Sequence, residues 1–219
     1  MTAEAQAGAG RQGAGAPAPA GVLAVDVGAG TSDILVTRPG QPLENAVKLV
    51  VPSATQTAAA RIAAATARGK TVVFRGPVMG GGAVTQAMKA HLAAGHAFVA
   101  TEAAASSFTD DLDRVRALGA RVVAEGAAGE VLRRLPEGVV AEVASGDLDA
   151  AALTQALRLL GVEPEFSAVA LAVQDHGYAP GSSNRMLRFS FWEAALAEGR
   201  RVGDLFYAEA GVPPQLTRL

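Results

Sequence analysis

Val22–Val36 reads VLAVDVGAGTSDILV. An apolar run carries an acid at Asp26 and turns within GAGTSD. It then leaves as a second apolar run from Ile34. The turn is too short for a helix, so two strands return on each other as a β-hairpin. Asp26 is expected to be buried in the first strand. Glycine tolerates positive φ and lets backbone N–H groups approach an anion without a Cβ in the way. Gly28, Ala29, Gly30 and Thr31 are therefore candidates to cradle a phosphate, with Asp33 just beyond them. Asp26 is placed to hold a hydrated Mg²⁺. A dinucleotide fingerprint would need a third glycine and a helix directly after the turn. A P-loop would need Gly-Lys-Ser/Thr, which the chain lacks. An ordinary hairpin would account for Gly28 and Gly30 alone.

Outward from the hairpin, strand-like and helix-like pieces alternate, as in an α/β fold. Ala46–Val51 reads as a third strand ended by Pro52. Ser53 then caps an Ala-rich helix that stops before Gly69. Thr71–Phe74 is a strand leading through RGPVMGGG into a helix from Ala83 to Ala94. Gly80, Gly81 and Gly82 are candidates for a second anion nest at that helix N-terminus, or else for a hinge or close backbone contact. Arg75 before them could contact an anion or lie solvated. Short strands follow at Ala97–Ala100, Arg121–Ala124 and Val139–Val143. Asp110, Asp111 and Asp113 read as acids of a helix start, and Gly119 as its end. Ser145-Gly146-Asp147 introduces a helix whose apolar face is Leu153, Leu157, Leu159 and Leu160. Ala168–Val173 has the continuous apolar character of a strand buried on both faces. Where it ends, Gln174-Asp175-His176-Gly177 is the candidate catalytic segment. Asp175 would be general base or Mg²⁺ partner, and His176 proton donor or phosphate contact, unless the segment is simply a hydrogen-bonded turn. A helix spans Arg185–Glu198, with Arg185 and Arg188 on one face and Phe189, Phe191, Trp192 and Leu196 as core or interface. The last twenty residues read as irregular. His91 and His96 are five apart, which does not place two ligands on one helix face.

Composition narrows the classes. The chain has 219 residues, about one large domain. Half are hydrophobic but only 5% aromatic, so the core relies on small side chains. The first twenty residues, rich in Ala, Gly and Pro, cannot bury enough surface to order and are expected to be a disordered tail before an α/β domain at 21–219. A net charge of −2 gives no electrostatic footprint for nucleic acid. No apolar run reaches the roughly 18 residues of a membrane span. No secretory signal is visible, so a cytoplasmic location is expected. There is no cysteine, which excludes disulfides, thiolate metal sites and cysteine-ligated iron–sulfur clusters in these residues.

The Val22–Val36 stretch resembles the first phosphate motif of the actin, hexokinase and seventy-kilodalton heat-shock ATPase superfamily. That resemblance implies a ribonuclease-H-like α/β fold, a mixed sheet opening with a β-hairpin and flanked by helices. It also implies ATP and Mg²⁺ as cofactors, with Asp26 organising the metal and Gly28, Gly30 and Thr31 on the phosphates. The implied chemistry is ATP hydrolysis or phosphoryl transfer to a small-molecule substrate. Asp175 would correspond to the acid of the second phosphate motif. The superfamily uses two lobes around a cleft, so these residues are expected to hold only the N-terminal part of such a fold, either as a truncated chain or with the partner half on another polypeptide or a second copy. The alternative is a non-catalytic anion-binding or assembly module, and a hydrolase centred on Asp175 and His176 is a third reading. More widely, DVGAGTSDILV, NAVKLVVPSAT, the MGGG loop, FTDDLDRVRALGARVV and AVQDHG with SNRMLRF resemble a prokaryotic family labelled pyruvate formate-lyase activating enzyme. That label implies a radical enzyme with a three-cysteine cluster and S-adenosylmethionine. A chain without cysteine cannot make that cluster, so the family is kept and the label's chemistry is not.

Overall fold

A computed structural model describes residues 21–136, 138–175, 177–178 and 183–218. The N-terminal tail and His176 lie outside the described residues. The hairpin is β1 (Gly21–Val27) and β2 (Thr31–Thr37), followed by β3 (Val47–Pro52) and α1 (Ala54–Ala67). Next come β4 (Thr71–Arg75), α2 (Gly82–Ala93), β5 (Phe98–Thr101), α3 (Glu102–Ala105), α4 (Leu112–Ala117) and β6 (Arg121–Val123). The chain continues through α5 (Ala128–Arg134), β7 (Val140–Ala144), α6 (Ala150–Leu159), β8 (Phe166–Val173) and α7 (Asn184–Ala197). Gly69 at φ +63° and Gly119 at φ +101° follow the ends of α1 and α4, where a left-handed residue closes a helix.

The strands form two four-stranded sheets rather than one. The first has the order β3-β2-β1-β8, with β1, β2 and β3 antiparallel and β8 parallel to β1. The second has the order β6-β5-β4-β7 and is parallel throughout. Period-two alternation turns Leu23, Val25 and Val27 of β1, with Ile34 and Val36 of β2, onto a core shared with Leu157 and Val162. In the second sheet Val72, Val73 and Phe74 of β4 are all fully buried, because neighbouring helices cover both faces of this central strand. Phe74, Phe98 and Phe108 pack with ring centroids 5.4–6.1 Å apart.

Three expectations are corrected. The apolar run of β8 is not buried on both faces: Val169 is 62% exposed, and β8 lies at the edge of its sheet, paired among the described residues with β1 alone. Leu153 and Leu157 face the core, but Leu159 and Leu160 are exposed where α6 ends. Of the two readings of the α7 cluster, core or interface, the core reading is corrected, because Phe189, Trp192 and Leu196 lie exposed. Two short helices, α3 and α5, were not expected. No helix among the described residues is long and apolar enough to cross a membrane.

Candidate functional site

A cavity of about 810 Å³ opens where the two sheets approach each other. The end of β1, the hairpin turn, the first turn of α1, the glycine loop before α2, residues 106–110 and the segment after β8 all border it. Of the sequence candidates, Asp26, Gly28, Ala29, Gly80, Gly81, Gly82 and Asp175 are brought together here. Gly30, Thr31 and Asp33 do not border this cavity.

The hairpin turn owes its shape to contact rather than to positive φ, which neither Gly28 nor Gly30 adopts. The Gly28 amide donates to the Thr31 carbonyl at 2.9 Å. A Cβ on Gly28 would sit 2.8 Å from that same oxygen, so only glycine fits the turn. The turn is fastened to α1. Ser53 Oγ and Gln56 Nε2 both donate to the Ala29 carbonyl, at 3.0 and 3.3 Å, and the Ser53 amide donates to the Gly30 carbonyl at 3.1 Å. Ser53 therefore occupies the cap position of α1 without capping it, and the helix starts with no side chain on its first amides.

Asp26 is exposed, not buried. It alternates with Leu23, Val25 and Val27 onto the outer face of the first sheet, directly opposite Asp33 in the β1–β2 register. Thr31 Oγ1 lies 3.4 Å from Asp33 Oδ2 on that side. A second cavity of about 920 Å³ lies over the outer face, bordered by Asp26, Asp33, Lys48 and chain segments from 205 to 216.

Gly81 passes so close to the 106–108 segment that a Cβ would fall 1.9 Å from the Ser107 carbonyl oxygen. Ser107 Oγ in turn accepts the Met79 amide at 2.9 Å. The Gly80 amide donates to Asp147 Oδ1 at 3.0 Å. Asp147 is also gripped bidentately by Arg218, at 2.6 and 2.7 Å, in a pair whose side chains are only 6% and 12% exposed. Gly82 opens α2, again without a side-chain cap. Arg75 pairs with Glu142 away from the cavity.

Asp175 is held at both oxygens. The Gly177 amide donates to Oδ1 at 2.7 Å and the Arg218 amide to Oδ2 at 2.8 Å, while the Arg218 side chain also donates to the Gln174 carbonyl. Asp110 accepts the Asn184 backbone amide at 2.9 Å and its side-chain amide at 2.6 Å, which anchors the start of α7; Asp111 caps α4. Arg185 and Arg188 lie over the Phe189 ring. His91 is fully buried, with Nδ1 2.8 Å from Thr66 Oγ1 and Nε2 3.1 Å from the Ala97 carbonyl. Burial holds its pKa below the ordinary value, aided by the neighbouring His96 and opposed by the Ala97 hydrogen bond. Among the described residues, no group of three or more His, Cys, Asp or Glu side chains could hold a metal.

Sequence reasoning missed Thr55, Asp147 and Arg218 as site residues. Asp147 read only as part of a helix lead-in and Arg218 as part of an irregular end. No local signal ties together a charge pair 71 residues apart.

The fold and cavity define an α/β protein in which strand ends and helix N-termini meet at a polar cleft. A family model described as "Putative pyruvate format-lyase activating enzyme (DUF1786)" matches residues 79–219, and the chain belongs to that family. The match takes in the glycine loop, Asp147, Asp175 and Arg218, and it begins after the hairpin. No curated protein and no solved structure matches the chain.

Proposed function

We propose that this protein binds ATP with Mg²⁺ and hydrolyses it or transfers its γ-phosphoryl group, on a ribonuclease-H-like fold of the actin, hexokinase and heat-shock ATPase kind. The mixed first sheet, a hairpin extended by β3 and joined by a parallel β8, supports the fold reading. One observation carries the ligand reading: α1 and α2 both begin at the same cavity with their first amides uncapped, beside the hairpin turn. Two helix N-termini at one cavity favour a multiply charged anion.

The cavity's charge adds a condition. Among the described residues, Asp26, Asp110, Asp147 and Asp175 border it against the guanidinium of Arg218. A bare polyphosphate would be repelled, whereas one accompanied by a divalent cation would not. Mg²⁺ keeps most of its waters and needs one or two carboxylates together with phosphate oxygens. Asp26 is the carboxylate to supply, since Asp110, Asp147 and Asp175 already accept hydrogen bonds. Asp175 then acts as a fixed second acid rather than a base. Catalysis on such a site is positioning and charge neutralisation.

Calorimetric titration of the full chain with ATP and a non-hydrolysable analogue, with and without Mg²⁺, tests this. Mg²⁺-dependent binding is expected, weakened about tenfold or more by Asp26→Asn, the loss of one charge-assisted contact. Thr31→Ala should bind normally, because Thr31 does not border the cavity. Equal binding by Asp26→Asn would remove the metal role.

The exposed, uncharged edge of β8 favours a second reading, a binding module that assembles through this strand. It predicts nucleotide binding without turnover.

A further inference from the structure

Of the buried side-chain oxygens without a partner among the described residues, two border the main cavity: Thr55 Oγ1 and Asn184 Oδ1. The second is an acceptor and is of no use to an anion. Thr55 is different. It stands in the first turn of α1, is only 6% exposed, and its hydroxyl has a proton to give. Burying an idle hydroxyl costs stability unless something completes it. The amides beside it at the helix start have no side-chain cap, because Ser53 is turned to the Ala29 carbonyl. Across from Thr55 runs Gly80. A Cβ there would fall 3.9 Å from the Thr55 Cβ and 3.2 Å from Arg218 Nη2. A side chain at position 80 would enter the narrow space bounded by the Thr55 side chain, the Arg218 guanidinium and Asp147 Oδ1, the last at 3.8 Å.

We propose that Thr55 Oγ1 and the first-turn amides of α1 form a binding site for a phosphate group, with Gly80 as one wall and Arg218 on its far side. The inference rests on the nucleotide-phosphate reading above and names the residues that would hold one phosphate. The hydroxyl and the helix amides are all donors, the groups that an anion requires. The nearest cation is already neutralised by Asp147, so the group arrives with its own Mg²⁺.

The test is calorimetry of pyrophosphate with Mg²⁺ on the full chain, together with thermal unfolding of the unliganded protein. Thr55→Val should weaken binding about tenfold or more and Thr55→Ser less than about threefold. Without ligand, Thr55→Val should melt no lower than the wild type, since the lost hydroxyl had no partner; a purely structural threonine would behave in the opposite way. Undiminished binding by Thr55→Val overturns the proposal, as does a lowered unliganded melting temperature that Thr55→Ser restores. If Asp26→Asn loses binding while Thr55→Val keeps it, only the Thr55 assignment fails. If the wild type binds no pyrophosphate, the nucleotide reading fails with it. Repeating the series with ATP separates the sources: a matching loss assigns the site to a nucleotide phosphate, and a loss confined to pyrophosphate assigns it to free phosphate compounds.

Discussion

The two sheets are built by different rules. The second is parallel, and its central strand β4 is closed in on both faces by Val72, Val73 and Phe74. The first buries only one face. Its other face carries Asp26 directly opposite Asp33, and its outer strand β8 stands open. The second sheet therefore serves as scaffold, and the first spends part of its packing on presenting acids and a turn. The cavity lies where the two meet, so each supplies a different component: carboxylate and hairpin from one, glycine loop and helix start from the other.

The contrast can be broken by mutation, and the largest effect belongs to the scaffold. Phe74→Ala should lower unfolding free energy by about 3–5 kcal/mol, whereas Val169→Ala on β8 should change it by less than about 0.5. Urea denaturation of the two variants measures this, and equal losses would erase the distinction. Gly81→Ala comes next. Its Cβ would meet the Ser107 carbonyl at 1.9 Å, so backbone must move, at a cost of about 1–3 kcal/mol. Gly30→Ala, with nothing within 4 Å of the added carbon, should be nearly silent in the same denaturation.

The third prediction concerns pH. Nε2–H of His91 donates to the Ala97 carbonyl, so in the neutral ring Nδ1 accepts from the Thr66 hydroxyl, which also lies 2.9 Å from the Ile62 carbonyl. Because the folded pKa is lowered, the unfolded chain binds the proton more readily. The stabilisation is complete above the ordinary histidine value of about 6.5 and declines as pH falls through the lowered folded value. Melting temperature should drop on acidification through this range, and an NMR titration placing the His91 ring above its ordinary value would contradict it. The smallest effect sharpens the contrast from the other side. Asp26→Asn should stabilise the unliganded protein by about 0.2–1 kcal/mol, since it relieves a directly opposed like-charge pair. Chemical denaturation showing a loss instead would mean that Asp26 has a structural partner.

Much of the second sheet was legible in the sequence, because its short apolar runs mark strands and Gly69 and Gly119 mark the stops of the helices before β4 and β6. The hairpin and the glycine loop were also legible as separate anion-binding candidates, and the fold places both on one cavity. Other features were hidden for physical reasons. A continuous apolar run such as Ala168–Val173 reads the same whether the strand is central or outermost, since hydrophobicity does not encode how many neighbours a strand has. The exposure of Asp26 was within reach: it keeps period-two phase with Val22 and Ala24, opposite to the buried Leu23 and Val25. The Asp147–Arg218 pair was out of reach, as was Thr55, whose buried hydroxyl has no partner among the described residues, a property of the fold and not of the local sequence.

The cavity between the sheets is the proposed nucleotide-phosphate site. Amide chemical-shift mapping of the full chain with and without Mg²⁺-ATP tests it most directly. Perturbations are expected to concentrate at Gly28 and Ala29, Thr55 and Gln56, and Gly80–Ala83, drawn from both sheets at once. Shifts confined to β8 and α7, or none at all, would contradict it.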